Sequence, residues 1–514
     1  MIWIDAPQVS YGNEIVELAK EFFPTETISV RGNGTEPSEE DLILESTWSA
    51  EGPESFSFLA SLRKGPVLLG ERKNAEVPVR ENGEGENPLL FEKRRRREMK
   101  NGLKGSVYDL LSSFTGKCPR WGILTGIRPV KIVHELLDQG CSREEVRQTL
   151  RETYRLHPSR VDLMMKTAEV QRPLLRGREP RTVSVYIHIP FCSSRCFYCS
   201  FPSDLFGRIS DRIDDYLDCL HREMSVLSDE FQRLGISVDT VYIGGGTPTV
   251  LAYADLERLL RMTESCFSSR FPLLEYTVEA GRPDSLDPQK LRLLKEYGVT
   301  RISINPQSMN QETLDRVGRN HTTEDVVRTF QQAREAGFDC INMDVILGLP
   351  GETPRHMEHT MEAIAALGPE NITVHTLAVK RASALKESFH QYDPSRRGLA
   401  EEMSAVCRKW MERLNMVPYY LYRQKYMLDH LENVGYTVPG KECRYNMDIM
   451  EEKRSIWAFG AGASSKIYHP EEDRLERVAN VKNLEDYIGR IGEMIERKRK
   501  AAMFYAEKHE TGRM

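Results

Sequence analysis

Three cysteines fall within eight residues, in the run Cys192-Ser-Ser-Arg-Cys196-Phe-Tyr-Cys199. Thiolates are the usual ligands of zinc and of iron–sulfur clusters. A structural zinc site takes four protein ligands, often as paired C-x2-C, and no second C-x2-C pair occurs in this chain. Three thiolates match instead a cubane of four irons, with one iron left open for a substrate or cofactor. Loop thiols without a ligand would be open to oxidation, which argues against a chance grouping. The other seven cysteines, from Cys118 to Cys443, are scattered, and each reads as a small buried apolar residue.

A second constellation is Gly244-Gly245-Gly246-Thr247-Pro248-Thr249. Glycines let a ligand approach the backbone closely. Alone the run reads equally as a tight turn; at a strand end, following the cysteine loop, it reads as a ligand contact. Three further patches carry plainer readings. Lys93-Arg94-Arg95-Arg96-Arg97 suits a solvated charged face, Trp121–Pro129 a specific turn without assignable chemistry, and Gly460–Lys466 a small-residue turn.

The elements that must position these groups follow a rhythm. Short β-rich runs occur at 183–189, 238–243, 275–279, 301–304, 340–346 and 371–377. Helical patterns separate them at 210–235, 252–267, 287–297, to about 337, and 354–367. Six strands alternating with helices predict an α/β fold with a parallel sheet, and ligands in such folds bind at the carboxyl ends of the strands. Residues 1–175 read as a separate N-terminal α+β region, with helical spacing at 130–138 and 157–176. Residues 386–514 read as mostly helical, ending in a charged helix around 484–508.

The run Tyr186-Ile-His188-Ile-Pro190-Phe191-Cys192-x3-Cys196-x-Tyr198-Cys199, followed by GGGTPT, resembles the radical S-adenosylmethionine superfamily. It is most similar to the oxygen-independent coproporphyrinogen III oxidase group. The resemblance covers roughly residues 183–385 and implies a partial (β/α)6 barrel, a [4Fe–4S] cluster on Cys192, Cys196 and Cys199, and S-adenosylmethionine chelating the open iron. It implies cofactor contacts from Tyr186, Tyr198, Gly244, Gly245, Gly246 and Thr247. Glu279 stands at the family's cofactor-binding glutamate. Arg301-Ile-Ser-Ile-Asn-Pro-Gln307 resembles the strand whose Gln binds the cofactor, although Asn305-Pro306 replaces Gly-Val. Arg319 falls where the family places an Arg near the cofactor carboxylate. Asp344-Val-Ile-Leu-Gly348-Leu-Pro350 resembles the strand whose Asp meets the ribose or adenine side, and Ala378 would pack on the adenine by its backbone. The classical oxidase has a further Cys where this chain has Phe201, and that Cys-x-Phe ending resembles the haem-chaperone branch of the same group. The long N-terminal region, Asn-Pro-Gln, Thr376–Arg381 and Pro418–Tyr426 resemble the long bacterial branch called coproporphyrinogen dehydrogenase, HemZ type.

That resemblance implies oxidative decarboxylation of two propionates of coproporphyrinogen III to vinyl groups, giving protoporphyrinogen IX through a 5′-deoxyadenosyl radical. It also implies a flavodoxin- or ferredoxin-like electron donor and an unidentified electron acceptor. No protein acid or base is required beyond the cluster ligands. Propionates want cationic partners. Lys380, Arg381, Arg423, Lys425 and Lys466 are candidates, and Tyr419, Tyr420, Tyr422 and Tyr426 could wall a flat macrocycle. For each, a surface or core role is the competing reading. The rivals are a haem-binding delivery protein on the same scaffold, a methyltransferase that opens the haem ring, and a zinc-stapled interaction protein.

Composition sets outer bounds. The 514 residues suggest about three domains. Lys plus Arg is 71 and Asp plus Glu is 77, a net charge of −6, which argues against general nucleic-acid binding. No apolar run reaches the roughly 18 residues of a membrane span, and Met1–Glu14 lacks a secretory pattern. A cytoplasmic protein is the expectation.

Overall fold

The computed structural model describes residues 1–6, 12–31, 37–50, 55–78, 88–126, 128–177, 179, 181–199, 204–378 and 398–510. They form two compact units, Met1–Met165 and Lys166–Met514.

The first unit carries a five-stranded sheet. Its strands are β1 (Ile2–Asp5), β2 (Ile28–Val30), β3 (Leu42–Ala50), β4 (Ser55–Lys64) and β5 (Val67–Pro78), in the order β2-β1-β3-β4-β5. The helix Pro88–Thr115 packs on it closely enough that a Cβ on Gly102 would meet the Phe58 ring at 2.2 Å. The arginine run lies on this helix and is occupied by the protein itself. Arg96 bonds Glu92 at 3.1 Å, Arg97 pairs with Glu135, and the guanidinium of Arg95 lies over Phe56. The turn after it is specific: Gly122 has φ of 53°, and a Cβ there would sit 2.1 Å from the Tyr154 carbonyl.

The second unit is built on β6 (Thr182–Ile189), β9 (Ser237–Gly245), β10 (Glu275–Glu279), β11 (Arg301–Ser303), β12 (Ile341–Leu347) and β13 (Asn371–Thr376). All five neighbouring pairs are parallel, and helices cross between successive strands as the β-branched runs and helical spacing predict. The caps are local. Asp287 accepts from the backbone N–H of Gln289 and Lys290 to start Pro288–Glu296, and Thr322 forms a capping box with Asp325 to start Thr323–Glu335. A small parallel pair, β7 (Phe191–Cys192) and β8 (Asp204–Leu205), holds the start of the cysteine loop.

The expectation for the C-terminal region is corrected. Besides its helices it contributes five strands: β14 (Val417–Tyr422), β15 (Asn433–Thr437), β16 (Ile456–Phe459), β17 (Ser464–His469) and β18 (Arg474–Ala479). These extend the same sheet to eleven strands, in the order β14-β15-β13-β12-β11-β10-β9-β6-β16-β17-β18. Residue 385 therefore does not separate two sheets. The final charged helix is two helices, Leu484–Gly489 and Ile491–Glu510. Buried polar bonds tie this region to the core strands. Thr240 Oγ1 donates to Ser184 Oγ at 2.7 Å, and Ser184 Oγ donates to Asp448 Oδ2 at 2.7 Å. No described helix is long and apolar enough to cross a membrane.

Candidate active site at the carboxyl ends of the strands

β6 runs into Pro190 and then into the cysteine loop, so Cys192, Cys196 and Cys199 emerge at the carboxyl end of the first core strand. β9 ends in the glycine turn beside it. Gly246 N donates to the Ile189 carbonyl at 2.8 Å, and Thr247 N to the Phe191 carbonyl at 2.7 Å. These bonds fasten the turn to the segment that carries Cys192. The approach admits no side chain, since a Cβ on Gly246 would lie 2.3 Å from the Phe191 carbonyl oxygen. Thr247 Oγ1 then reaches Cys192 Sγ at 3.7 Å.

Glu279 ends β10 and turns its carboxyl toward the glycines. Tyr242 Oη donates to Oε1 at 2.7 Å, and Gly245 N donates to Oε2 at 3.1 Å. A Cβ on Gly244 would meet that carboxyl at 2.8 Å, so the glycine leaves it room. Burial pushes the Glu279 carboxyl up to about 7, against the lowering effect of its two donors. Gln307 lies just past β11 in the left-handed region, with φ of 65°. Its backbone N–H donates to the Asp344 carbonyl at 2.9 Å. Its side chain is buried, and Oε1 has no hydrogen-bond partner among the described residues. Asp344 on β12 is bonded by Asn342 Nδ2 at 2.7 Å and lies 3.6 Å from His375 Nε2 on β13. Burial opposes its ionisation, but the bonds from His375, Asn342 and Thr373 outweigh it and hold the carboxyl below the usual range. Arg319 is buried, with Nη1 and Nη2 each 3.4 Å from the carbonyls of Gly281 and Asn305.

These groups wall one cavity of about 380 Å³. All three cysteines, Tyr186, Tyr198, Gly245, Gly246, Thr247, Glu279, Gln307, Arg319, Asp344 and Ala378 line it. Gly244, expected as a cofactor contact, does not line it. Ala378 is fixed there by a β-bridge to Met427. Burial pushes the Tyr198 phenol up, opposed by the Arg319 charge beside it.

The substituent cations and tyrosines divide. Lys466 pairs with Glu452 at 3.1 Å on β17, and Arg423 donates to the His430 carbonyl at 3.1 Å; neither lines the cavity. Lys425 is exposed and also outside the wall, while Lys380, Arg381 and Phe201 lie outside the described residues. Tyr419 and Tyr420 belong to a core cluster, Tyr426 is exposed, and Tyr422 alone of the four lines the cavity. The turn at Gly460 is structural: the Ala461 carbonyl lies 2.6 Å from His188 Nδ1, and burial lowers the His188 ring from its ordinary value. Sequence reasoning missed Arg282, Asn305 and His375, all of which line the cavity. Only the Asn-Pro departure at 305–306 signalled one of them.

The donor set suits an iron–sulfur cluster. Among the described residues no three His, Cys, Asp or Glu side chains converge on a point that could hold a single ion. All three thiols line the same cavity, with the Thr247 hydroxyl 3.7 Å from Cys192 Sγ, and the unpartnered Gln307 Oε1 offers an acceptor to a ligand hydroxyl or amine.

Comparison with known proteins agrees with this donor set. A family model described as the radical SAM superfamily matches residues 186–364. The oxygen-independent coproporphyrinogen-III oxidase-like protein HemZ of Bacillus subtilis (strain 168) is 38% identical over 407 residues, spanning 79% of this chain and 81% of that protein. The heme chaperone HemW of the same organism is 33% identical over 314 residues, spanning 60% of this chain and 76% of that protein. The oxygen-independent coproporphyrinogen III oxidase of Escherichia coli (strain K12) is 32% identical over 203 residues, spanning 38% of this chain and 42% of that protein.

Proposed function

The chain belongs to the radical S-adenosylmethionine superfamily, and from that premise we propose that it is an oxidoreductase decarboxylating the propionates of a coproporphyrinogen-like tetrapyrrole. The observation that carries the reading is the single cavity shared by three thiols and by Glu279, Gln307, Arg319, Asp344 and Ala378 from successive strand ends. A cavity of about 380 Å³ suits a nucleoside-sized ligand. When bound, a [4Fe–4S] cluster and S-adenosylmethionine supply the one-electron chemistry that generates a hydrogen-abstracting radical.

The chain's own residues bind and orient. Cys192, Cys196 and Cys199 hold the cluster. Glu279 and the backbone carbonyls of the glycine turn take the cofactor's ammonium, and Arg319 takes its carboxylate as a paired-donor fork. Asp344, kept ionised by its donors, accepts from the ribose hydroxyls. Gln307 Oε1 gains a donor from the same ligand, Ala378 packs on the adenine, and Tyr186 and Tyr198 close the wall against water. Coproporphyrinogen as substrate is supported by the similarity to the HemZ and coproporphyrinogen oxidase proteins. An external electron donor and an external acceptor complete the redox balance.

The test is an anaerobic assay of the reconstituted full chain with S-adenosylmethionine, a strong reductant and coproporphyrinogen III, read by mass spectrometry. The expected products are 5′-deoxyadenosine and the doubly decarboxylated tetrapyrrole. 5′-Deoxyadenosine without tetrapyrrole conversion overturns the substrate assignment. Tight haem binding in the same preparation then favours a delivery role, in line with the similarity to HemW.

A further inference from the structure

The segment after Glu279 reads Ala280-Gly281-Arg282-Pro283-Asp284, and its arginine has no part in the assignments above. Arg282 is 5% exposed. Its guanidinium points into the cysteine loop. Nη1 donates to the Ser194 carbonyl at 3.1 Å and lies 3.9 Å from Cys196 Sγ. Nη2 donates to Ser194 Oγ at 2.9 Å. Nε and Nη2 also grip Asp284 Oδ1 and Oδ2, at 3.1 and 3.2 Å. Asp284 in turn accepts from Ser193 Oγ at 3.5 Å, so both members of the pair touch the loop.

The backbone is shaped to deliver this side chain. Pro283–Ser285 is a 3-10 turn in which Ser285 N and Ser285 Oγ both bond the Arg282 carbonyl, at 3.0 and 2.8 Å. On the other side, a Cβ on Gly281 would lie 2.8 Å from Asn305 Nδ2, and Asn305 Oδ1 accepts from Asp344 N at 3.2 Å. The Asn-Pro departure at 305–306 and the Gly-Arg segment at 281–282 are thus packed against each other.

A buried arginine is costly unless its donors are matched. Here one carboxylate and two neutral loop acceptors match most of them, and the remaining reach is to sulfur. Hydrogen bonds to the sulfurs and net charge around a cluster are the protein's means of setting its potential. A cation beside a thiolate ligand favours the reduced, more negative state.

We propose that Arg282 is a positioning residue that clamps the cysteine loop at Ser194 and favours the reduced cluster by holding its guanidinium beside Cys196. The inference rests on the reading of the three cysteines as cluster ligands. No atom or electron is transferred by Arg282 itself.

The experiment compares the reconstituted parent with Arg282→Gln and Arg282→Lys. Three readouts are taken: iron per chain, melting temperature of the cluster-free chain, and a potentiometric titration followed by the paramagnetic signal of the reduced cluster. Arg282→Gln is expected to shift the reduced-to-oxidised ratio at a fixed potential by tenfold or more toward oxidised, which is 59 mV for a one-electron couple. Arg282→Lys keeps the charge and is expected to recover at least half of that shift. A folded Arg282→Gln chain that fails to retain iron while Arg282→Lys retains it supports the clamp equally. Full iron with the parental ratio in Arg282→Gln overturns the inference. So does an equal loss of iron and of melting temperature in both variants, which marks a merely structural arginine. A parent chain that takes up no four-iron cluster overturns the underlying cluster reading instead.

Discussion

Glu279 holds two conflicting demands in one carboxyl. Its surroundings favour the neutral acid, because burial raises it from the ordinary carboxylate value to about 7. The ammonium proposed as its partner requires the carboxylate. The raised value means the folded chain binds more protons than the unfolded chain between about pH 4.5 and 7. Stability from this group is therefore present at low pH and is lost as pH rises through that window. Cofactor affinity runs the opposite way. We expect S-adenosylmethionine binding, followed by equilibrium dialysis on the cluster-loaded chain, to weaken by up to about tenfold per unit below pH 7. Glu279→Gln is expected to bind weakly and to flatten that slope. A pH-independent affinity in the parent would contradict the pairing of Glu279 with the ammonium.

At the scale of the element, the C-terminal helix Ile491–Glu510 is fastened through a buried charge. Lys498 Nζ lies 2.6 Å from Glu223 Oε1, and both side chains are 0% exposed. Tyr487 Oη donates to Glu223 Oε2 at 2.7 Å, and Asn480 Nδ2 donates to Oε1 at 2.8 Å. Gly460 N also donates to Oε2, at 2.9 Å, which places the neighbouring Ala461 carbonyl on His188. The helix thus reaches the end of β6 through a chain of bonds. Removing one partner strands the other charge in the core. Lys498→Met is expected to cost about 3–5 kcal/mol in urea unfolding, and adding Glu223→Leu to recover little of it, because Tyr487 Oη and Gly460 N then lose their buried acceptor. A loss below about 1 kcal/mol for the single variant would show that the pair is not confined as described.

The elements that carry the motifs were legible because their strands are β-branched runs divided by amphipathic helices. The C-terminal strands were not. Pro418 breaks the pattern of β14, and Ile456–Phe459 is four residues long and buried throughout, so it shows no alternation. A short run buried on every side cannot be told from a buried helix segment by periodicity. The cysteine triad stood out by its own spacing, whereas Glu279, Gln307, Arg319 and Asp344 were singled out only through the family resemblance of their strand motifs, and all of them line the one cavity. Arg282 and His375 were not legible, because what they touch is decided by how distant strands meet. Lys466, one of the candidate cations beside its plainer reading, pairs with Glu452.

At the scale of the whole molecule, one sheet of eleven strands brings residues from Cys192 to Ala378 to a single end. The parallel core requires this, since every core strand points its carboxyl end the same way. The C-terminal strands pair on both flanks of that core, so the site sits within one unit, Lys166–Met514. If this end of the sheet cleaves S-adenosylmethionine by one electron at the three loop thiols, as proposed, the cleavage does not depend on a tetrapyrrole. The measurement is the nucleoside product formed anaerobically by the chain loaded to four irons, with a strong reductant and no tetrapyrrole, beside Cys196→Ser. Slow 5′-deoxyadenosine release is expected from the parent and none from the variant. S-adenosylhomocysteine as the product, or no cleavage by the fully loaded parent, would contradict the proposal.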